Sequence, residues 1–493
     1  MTSKSMLKFV SVGQKTPEKR DVSIRRTDFD EIYAGWAEAK AAEQAARCSQ
    51  CGVPFCQVHC PLHNNIPDWL MLTAEGRLRE AYEVSSATNT FPEVCGRICP
   101  QDRLCEGNCV IEQAGHGTVT IGAVETYITD TAWSEGWVEP VVPPHERAES
   151  VGIIGAGPGG LAAAEQLRRR GYQVTVYDRY DRVGGLMIYG IPNFKLDKKI
   201  VERRTEWLKE SKVAFELGVE IGRDIAFADL RAKHDAVLIA TGVYKARELQ
   251  APGSGLKNIY PAMRFLTASN RKGLGDAVPA FDDGTLDAAG KKVVVIGGGD
   301  TAMDCVRTAV RQGATSVSCL YRRDRANMPG SQREVQNAEE EGVDFRWLSQ
   351  PEAFHGGDAV TGVQVQKMRL GPADATGRRS PKPIEGETEI IEADMVIMAL
   401  GFDPEELPTL WDQEELPVTR WGTVRIDHNT KMTAMEGVFA AGDIVRGASL
   451  VVWAIRDGRD CAAAIHKYLR GLDQVVPAEM SPTQKADASA AAE

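Results

Sequence analysis

The sequence has no long apolar run and no excess of basic residues. No uninterrupted apolar stretch reaches the roughly 18 residues that a membrane-spanning helix needs, so we expect no transmembrane segment. The net charge is −11 and no basic cluster opposes it, so we expect neither a nucleic-acid nor a membrane partner. The first residues lack the apolar core of a signal peptide, which favours a cytoplasmic protein.

The composition is that of a globular protein with several domains. A chain of 493 residues suggests about three domains. Residues 28–47 have the pattern of one helix, with Asp28 as its candidate N-cap. Residues 136–150 are rich in proline and charge, which predicts a linker. The polar, alanine-rich tail after Gly471 is predicted to be disordered.

Eight of the eleven cysteines lie between positions 48 and 109. They form the sets Cys48-x2-Cys51-x4-Cys56-x3-Cys60-Pro61 and Cys95-x3-Cys99-Pro100-x4-Cys105-x3-Cys109. Such spacing brings several thiolates to one metal centre, and the Cys-Pro endings are also found in ferredoxins. We do not expect these cysteines to form disulfides, because the cytoplasm keeps thiols reduced. The two quartets therefore predict two iron–sulfur clusters.

Zinc is the alternative for these cysteines, with His59 or His63 as a further ligand. A zinc site needs only four ligands, however, and does not account for two quartets. The remaining cysteines are Cys305, Cys319 and Cys461, and each lies alone in a predicted helix or strand. We expect these three to pack in the core.

Residues 151–178 contain a dinucleotide-binding motif in its full context, with an apolar strand, the turn GAGPGG, a helix and a second strand. Gly155 allows the tight turn, Gly157 lets a pyrophosphate approach, and Gly160 lets the helix pack on the strand. Asp178 lies 23 residues after Gly155, where a carboxylate can accept hydrogen bonds from a ribose hydroxyl. The motif predicts a nucleotide site.

A second copy of this design begins near residue 291, with the turn GGGDTA, and DMVIMALG at 394–401 repeats DAVLIATG at 235–242. Its second strand ends in Arg322 and Arg323 rather than in an acid. Guanidinium groups suit a ribose 2′-phosphate, which predicts NADP rather than NAD. A solvated basic turn is the alternative, because Asp324 follows directly.

Up to about residue 470 the chain resembles the small (beta) subunits of bacterial NADPH-dependent glutamate synthases. The resemblance is carried by the paired cysteine sets, by GAGPGG, by GGGDTAMD with the two arginines, and by AAGD with LVVWAI. Dihydropyrimidine dehydrogenases and NADPH:ferredoxin-type oxidoreductases contain the same module. The resemblance implies an α/β fold with two Rossmann-like dinucleotide-binding domains, as in glutathione reductase, preceded by an α-helical iron–sulfur domain.

The resemblance also implies the domain boundaries. A helical domain with two 4Fe–4S clusters would span residues 1–145. The FAD-binding domain would comprise residues 146–250 and 406–470, with the NADPH-binding domain inserted at 251–405. Residues 471–493 would form the tail.

Site residues follow from the same resemblance. The residues expected at FAD are Gly155, Gly157, Gly160, Asp178, Gly185, Leu186, Lys195, Gly242, Gly442 and Asp443. The residues expected at NADPH are Gly297, Gly299, Asp300, Thr301, Arg322, Arg323 and Gly401. A helix starting near Ser449 would point its dipole at the flavin and stabilise the anionic reduced form.

Each cluster has its own implied ligands. The first would be held by Cys48, Cys51, Cys56 and Cys109, and the second by Cys60, Cys99 and Cys105. Thiolate affinity for iron favours Cys95 as the fourth ligand of the second cluster. In the dihydropyrimidine dehydrogenases a side-chain oxygen takes this place, and Glu125 stands at the matching position. We favour Glu125.

The implied function is that of an NADPH:acceptor oxidoreductase subunit without acid–base catalytic residues. A hydride would pass from NADPH to FAD, and single electrons would pass through the clusters to a large (alpha) subunit. That subunit would carry FMN and make L-glutamate from L-glutamine and 2-oxoglutarate. The present chain begins Met1-Thr2, without a glutaminase nucleophile, and has no stretch left for an FMN barrel.

The sequence also bears on three other function classes. A disulfide reductase needs a cysteine pair beside the flavin, and residues 185–197 contain no cysteine. A structural iron–sulfur scaffold would not need an NADP site. The remaining alternative is an electron-input subunit of a dihydropyrimidine dehydrogenase or an NADPH:ferredoxin-type oxidoreductase.

Overall fold

The structure is a computed structural model that describes residues 6–374 and 379–471. The predicted disordered tail lies outside the described residues from position 472 onward. The part of the chain before residue 140 is helical, and its core contains Trp69 and Val124. Its helices are α1 (Val22–Arg25), α2 (Glu38–Ala45), α3 (Phe55–Val58), α4 (Ile66–Ala74), α5 (Leu78–Thr88), α6 (Pro92–Ile98), α7 (Val110–Gln113) and α8 (Ile121–Ser134).

The predicted helix over 28–47 is wrong in its first half, because α2 begins only at Glu38. Asp28 does not cap a helix, since its carboxylate accepts hydrogen bonds from the guanidinium of Arg20 at 2.8 and 2.5 Å. Glu31 forms an ion pair with Arg97, whose Nε donates to Glu31 Oε1 at 2.9 Å. Contacts with distant parts of the chain therefore override the local helical pattern.

A five-stranded parallel sheet follows, with the strand order β15-β4-β1-β2-β3. The strands are β1 (Ser150–Ile154), β2 (Gln173–Asp178), β3 (Ala214–Leu217), β4 (Ala236–Ile239) and β15 (Val438–Ala440). The helices of this part are α9 (Pro158–Arg169), α10 (Leu186–Tyr189), α11 (Lys198–Glu210), α12 (Phe227–Lys233), α18 (Asp443–Arg446) and α19 (Val451–Arg470). Because β15 and α19 come from the end of the chain, this domain is built from two separate segments.

A second five-stranded parallel sheet has the order β6-β13-β7-β8-β9. Its strands are β6 (Ile259–Pro261), β7 (Lys292–Ile296), β8 (Ser316–Tyr321), β9 (Asp344–Trp347) and β13 (Met395–Met398). The accompanying helices are α13 (Ala262–Gly273), α14 (Pro279–Asp282), α15 (Asp300–Arg311) and α16 (Gln332–Glu340). The two sheets have the same arrangement, which confirms the predicted α/β fold with two Rossmann-like units.

Smaller elements complete the fold. An antiparallel sheet is formed by β10 (Ser349–Gly356), β11 (Val360–Ala373) and β12 (Arg379–Glu392). The short strands β5 (Lys245–Ala246) and β14 (Phe402–Asp403) pair antiparallel where the chain enters and leaves the second Rossmann-like unit, and α17 spans Leu407–Leu410. Among the described residues, no helix is both long enough and apolar enough to cross a membrane.

The same turn ends the first strand of each Rossmann-like unit. Gly155 has φ +111°, and a Cβ there would lie 2.3 Å from the carbonyl oxygen of Ala240. Gly297 has φ +150°, and a Cβ there would lie 2.3 Å from the carbonyl oxygen of Ala399. Both turns therefore require glycine, because the next parallel strand ends against them.

Candidate functional site

The first predicted ligand set, Cys48, Cys51, Cys56 and Cys109, forms one group in the helical domain. Cys51 is partly exposed, and the other three thiols are buried in one apolar cluster. Burial, and the nearby charge of Cys109, raise the pKa of Cys48 to about 11 and that of Cys56 to about 12. Four soft donors in one place match the ligand set of a 4Fe–4S cluster, whose binding would displace the thiol protons.

The second predicted set surrounds a cavity in the same domain, which is lined by Cys60, Cys95, Cys99, Cys105 and Glu125. Burial raises the pKa of Cys60 to about 11, and a hydrogen bond with Cys95 together with burial raises that of Cys99. The donor chemistry again fits iron. The two groups are neighbours, because Cys60 and Cys105 of the second group pack against the apolar cluster that contains Cys48, Cys56 and Cys109.

Both candidates for the fourth ligand line this cavity. Cys95 Sγ donates to Asn89 Oδ1 at 3.7 Å. Glu125 Oε1 accepts hydrogen bonds from Ser85 Oγ at 3.3 Å and from Asn89 Nδ2 at 3.2 Å. Burial raises the pKa of Glu125 to about 8. The choice between Glu125 and Cys95 stays a prediction.

The histidines considered for zinc do not face the cysteine groups. His59 is exposed, and its Nδ1 lies 2.9 Å from the carbonyl oxygen of Phe55. His63 is also exposed. Across residues 6–374 and 379–471, no group of three or more Cys, His, Asp or Glu side chains could hold a single metal ion.

The cavity of the second cysteine group also contacts the domain that is predicted to bind FAD. Val452, in the first turn of α19, lines the cavity. Arg456, one turn later, donates to the carbonyl oxygen of Pro61 at 2.7 Å. The second cysteine group therefore lies against α19, which begins at Val451, two residues after the predicted start.

A cavity of about 330 Å³ lies at the carboxyl ends of β1 and β2, and Gly155, Asp178 and Thr241 line it. Asp178 accepts hydrogen bonds from the backbone N–H of Ala156 at 2.6 Å and of Tyr180 at 2.8 Å. Burial raises the pKa of Asp178. The Oγ1 atom of Thr241 is buried and has no hydrogen-bond partner within the part of the chain that the structure describes. A bound nucleotide would supply that partner, so the residues fit FAD.

Other predicted FAD residues converge on the same turn. A Cβ on Gly185 would lie 2.9 Å from Gly157 Cα, so these two backbones touch. Leu186 then begins α10, and Gly242 directly follows Thr241. Behind this turn, Gly160 packs the first turn of α9 against the backbone oxygen of Gly155, because a Cβ there would lie 2.0 Å from it.

Two further predicted FAD residues, Gly442 and Asp443, lie shortly before α19. Gly442 has φ +76° and allows the turn into α18. Asp443 begins α18, and its Oδ1 accepts a hydrogen bond from Ser449 Oγ at 2.8 Å. Burial raises the pKa of Asp443. The bond to Ser449 holds the segment that leads into α19.

Lys195 lies where the two Rossmann-like units meet. Its Nζ donates to Asp304 Oδ1 at 2.8 Å and lies 3.6 Å from Glu334 Oε2. Burial alone lowers the pKa of Lys195, but the two carboxylates outweigh it and raise the pKa. Lys195 therefore ties the first unit to α15 and α16 of the second, and its contact with FAD stays a prediction.

The predicted NADPH residues lie at the second glycine turn. Gly299 precedes α15, and Asp300 and Thr301 form its first turn. Asp300 Oδ1 accepts a hydrogen bond from the backbone N–H of Ser331 at 3.0 Å. Gly401 has φ +97° and follows β13, at the same edge of the sheet.

Arg322 and Arg323 follow β8 and reach solvent to different degrees. Arg322 is exposed and Arg323 is partly buried. The Nε atom of Arg323 is buried and lacks a hydrogen-bond partner among the residues that the structure describes. An acceptor such as a 2′-phosphate would satisfy it, so the residues fit NADPH.

The structure also reveals site residues that the sequence motifs did not indicate. Arg179, Tyr180, Tyr244, Glu405 and Trp411 line the 330 Å³ cavity. The first two directly follow Asp178, which is a local signal that could have identified them. Trp411 has no local signal, because only folding brings α17 to this cavity.

Comparisons with known proteins agree with this geometry. Residues 25–137 match the family model described as dihydropyrimidine dehydrogenase domain II, 4Fe-4S cluster. Residues 149–458 match the pyridine nucleotide-disulphide oxidoreductase family. The prediction of iron–sulfur clusters over zinc is confirmed at the level of the domain type. The number of clusters stays a prediction.

Relatives and solved structures cover most of the chain. The glutamate synthase (NADPH) small chain of Azospirillum brasilense is 66% identical over 470 residues, covering 95% of this chain and 98% of the relative. The putative oxidoreductase AegA of Escherichia coli is 45% identical, covering 92% of this chain and 69% of AegA. FprA from Mycobacterium tuberculosis in complex with NADPH has a TM-score of 0.57 at 20% identity, covering 70% of this chain and 89% of FprA.

FprA supports the fold alone, whereas the close relatives decide the family. Together with the two family models they make the chain an NADPH-dependent flavin and iron–sulfur oxidoreductase. The chain belongs to the family of glutamate synthase (NADPH) small chains.

Proposed function

We propose that this chain is the NADPH-oxidising, electron-input subunit of a glutamate synthase. Its cofactors are FAD and two 4Fe–4S clusters, and NADPH is the electron donor. Bound FAD would accept the two electrons of one hydride and pass them on one at a time. The partner is a large subunit that carries FMN and makes L-glutamate from L-glutamine and 2-oxoglutarate.

One observation carries the proposal, namely the spatial order of the sites. The cavity of the second cysteine group is lined by Val452 at the start of α19, a helix of the FAD-binding domain. The first cysteine group lies directly next to the second, and its Cys51 is partly exposed. This order supports a route from the nucleotide sites through the second cluster and the first cluster to the outside.

The surface around the first cysteine group suits a protein partner. Val53, Phe55, Val58 and Val110 are between 40% and 63% exposed and flank its ligands. No Asp, Glu, Lys or Arg occurs between Cys48 and Pro67. An uncharged apolar surface beside the first ligand set supports docking of the large subunit there.

The chain's own residues provide binding and orientation rather than acid–base chemistry. The glycine turns and Asp178 bind FAD, and Arg322 and Arg323 select NADPH. Lys195 holds the two nucleotide-binding units together through Asp304 at 2.8 Å. Hydride transfer between two cofactors requires no protein proton donor, so positioning is the main contribution of the protein.

The proposal includes the domain boundaries and the location in the cell. The cluster domain comprises residues 1–145, the FAD-binding domain 146–250 and 406–470, and the NADPH-binding domain 251–405. We place the protein in the cytoplasm, because thiols that hold iron–sulfur clusters must stay reduced.

The test compares two reactions of the purified, cofactor-loaded chain. With NADPH we expect it to reduce an artificial acceptor such as ferricyanide, but to form glutamate only after the large subunit is added. Val53→Asp should lower glutamate formation about tenfold, because it places a charge in the proposed interface. Ferricyanide reduction should not change.

Val142→Asp is the matched control, because Val142 is 88% exposed and lies outside the cysteine-rich segment. It should leave both reactions unchanged. Glutamate formed by the chain alone would contradict the proposal.

A second candidate function is electron input to a pyrimidine reductase, which is favoured by the description of the family model that matches residues 25–137. A pyrimidine-reducing subunit or ferredoxin would then replace the large subunit in the assay. Coupled turnover with that partner, but not with a glutamate synthase large subunit, would select this alternative.

A further inference from the structure

Helix α16 (Gln332–Glu340) lacks an N-cap of its own. The N-cap residue, Ser331, makes no side-chain hydrogen bond to the first turn of the helix. Its Oγ instead donates to Asp102 Oδ1 at 3.1 Å. Asp102 belongs to the iron–sulfur domain and lies in the loop between Cys99 and Cys105.

Asp102 provides the missing cap from the other domain. Its second oxygen, Oδ2, accepts a hydrogen bond from the backbone N–H of Gln332 at 3.3 Å. A carboxylate at the start of a helix satisfies free N–H groups and interacts favourably with the helix dipole. Asp102 thus caps a helix that lies 230 residues away in the sequence.

Residues next to Asp102 and Gln332 form further hydrogen bonds between the same two segments. Arg103 donates to the carbonyl oxygen of Pro329. Arg333 donates to Gln101 Oε1 at 3.0 Å and to Glu106 Oε2 at 2.8 Å. The segment at the start of α16 is therefore fixed to the loop of the iron–sulfur domain on both sides of Asp102.

The same segment, residues 329–333, also contacts the second glycine turn, residues 297–300, which is predicted to bind NADPH. The N–H of Gly330 donates to the carbonyl oxygen of Gly298 at 2.9 Å. The N–H of Ser331 donates to Asp300 Oδ1 at 3.0 Å. Ser331 therefore connects Asp102, through its hydroxyl, with Asp300, through its backbone N–H.

We propose that Asp102 is a positioning residue for NADPH, through which the iron–sulfur domain holds the second glycine turn in its binding conformation. Asp102 itself does not touch the nucleotide. Without its carboxylate, the Ser331 hydroxyl and the N–H of Gln332 lose their partner, and the segment that supports residues 298–300 is left with its contacts through Arg103 and Arg333. This inference rests on the proposed NADPH site.

The experiment uses the full chain loaded with flavin and clusters. Asp102→Ala should raise the KM for NADPH and the Kd for NADP⁺ about fivefold, the effect of a lost helix cap. Ser331→Ala removes only one of the two bonds to Asp102 and should raise both constants about twofold. The kcat for ferricyanide reduction at saturating NADPH should not change. The preference for NADPH over NADH should not change either, because Asp102 supports the loop and not the 2′-phosphate.

Glu83→Ala is the control, because Glu83 is an exposed acid of the same domain whose partner is Arg79. It should leave KM and Kd unchanged. Iron content and the visible spectrum are measured for each variant, to detect loss of a cluster or of the flavin. If Asp102→Ala loses iron, the inference is tested on Ser331→Ala alone. An unchanged Kd for NADP⁺ in an iron-replete variant, or a fall in kcat alone, would overturn the inference. A wild-type chain that does not oxidise NADPH would instead refute the proposed function.

Discussion

Arg322 and Arg323 lie at the end of β8, where the first Rossmann-like unit has Asp178. Arg323 Nε is buried and has no hydrogen-bond partner within residues 6–374 and 379–471. Replacing both arginines with Gln should weaken NADPH binding and leave NADH binding nearly unchanged. Each lost charge-assisted contact to the 2′-phosphate should cost about 1.5–3 kcal/mol. Steady-state KM values for the two nucleotides measure this effect.

Arg325→Gln is the matched control for that double variant. Arg325 lies in the same segment, but it is exposed and its guanidinium pairs with Glu339 at 2.7 Å. We expect no change in nucleotide preference. Equal losses for NADPH and NADH in the double variant would contradict the assignment of the 2′-phosphate site.

Cys95 and Glu125 compete for one coordination position in the second cavity. Ser85 and Asn89 both donate to Glu125 Oε1, and we expect Oε2 to be the oxygen that binds the metal. Glu125→Ala should therefore abolish the EPR signal of the second cluster, whereas Cys95→Ala should retain it.

Cys461→Ala controls for the loss of a buried thiol, since Cys461 is 1% exposed and its Sγ donates to the carbonyl oxygen of Ala440 at 3.2 Å. It should retain both cluster signals. Loss of the second cluster in Cys95→Ala, with retention in Glu125→Ala, would assign the position to Cys95 instead.

Helices α6 and α11 join the iron–sulfur domain to the flavin-binding domain through a buried ion pair. Arg204 Nε donates to Glu93 Oε1 at 2.8 Å, and both side chains are buried. The Arg204 guanidinium also lies 4.8 Å from the ring centre of Trp207 and 5.1 Å from that of Trp133. Aromatic rings from both domains therefore surround the arginine.

Removing the acid from this junction should destabilise the protein strongly. Glu93→Ala leaves a buried guanidinium without its partner, which should cost about 3–5 kcal/mol in the free energy of unfolding. Glu83→Ala, at an exposed i,i+4 pair with Arg79, should cost less than about 0.5 kcal/mol. Chemical denaturation of both variants measures the difference. Equal stability would show that the junction contributes little.

At the scale of the whole molecule, two cysteine groups predict two clusters. Anaerobically purified holoprotein should contain about eight iron atoms and about eight acid-labile sulfides per chain, the content of two 4Fe–4S clusters. Replacing Cys51, which belongs only to the first group, with Ser should lower both values towards one cluster. Stoichiometric zinc without sulfide, or four irons in the unaltered protein, would contradict the prediction.

Ion pairs and hydrogen bonds connect the iron–sulfur part with the two nucleotide-binding units. Lys195 pairs with Asp304 across the two nucleotide-binding units, and Asp102 caps α16 across the iron–sulfur and NADPH-binding parts. Arg25 is buried and pairs with Glu340 of α16. These contacts keep the nucleotide sites and the cysteine groups at fixed separations, which electron transfer requires.

The sequence by itself determined the features that depend on short-range backbone geometry. A glycine turn between a strand and a helix has one structural solution, so the turns at Gly155 and Gly297 were predicted correctly. The cysteine spacing likewise indicated the iron–sulfur domain type, because ligands of one centre must lie close together. Strands β1 and β7 end directly before these two turns, at Ile154 and Ile296, as the motifs predict.

Only the tertiary structure decided the contacts between distant segments. Residues 28–37 resemble the start of a helix, but Arg20 and Arg97 engage Asp28 and Glu31, and α2 starts later. The contact of Lys195 with FAD stays a prediction, but its bond to Asp304 depends on the packing of the two Rossmann-like units. The cap that Asp102 gives to α16 has no local signal at either end. Partners of a charged side chain depend on which elements pack together, and that information is not contained in any local pattern of residues.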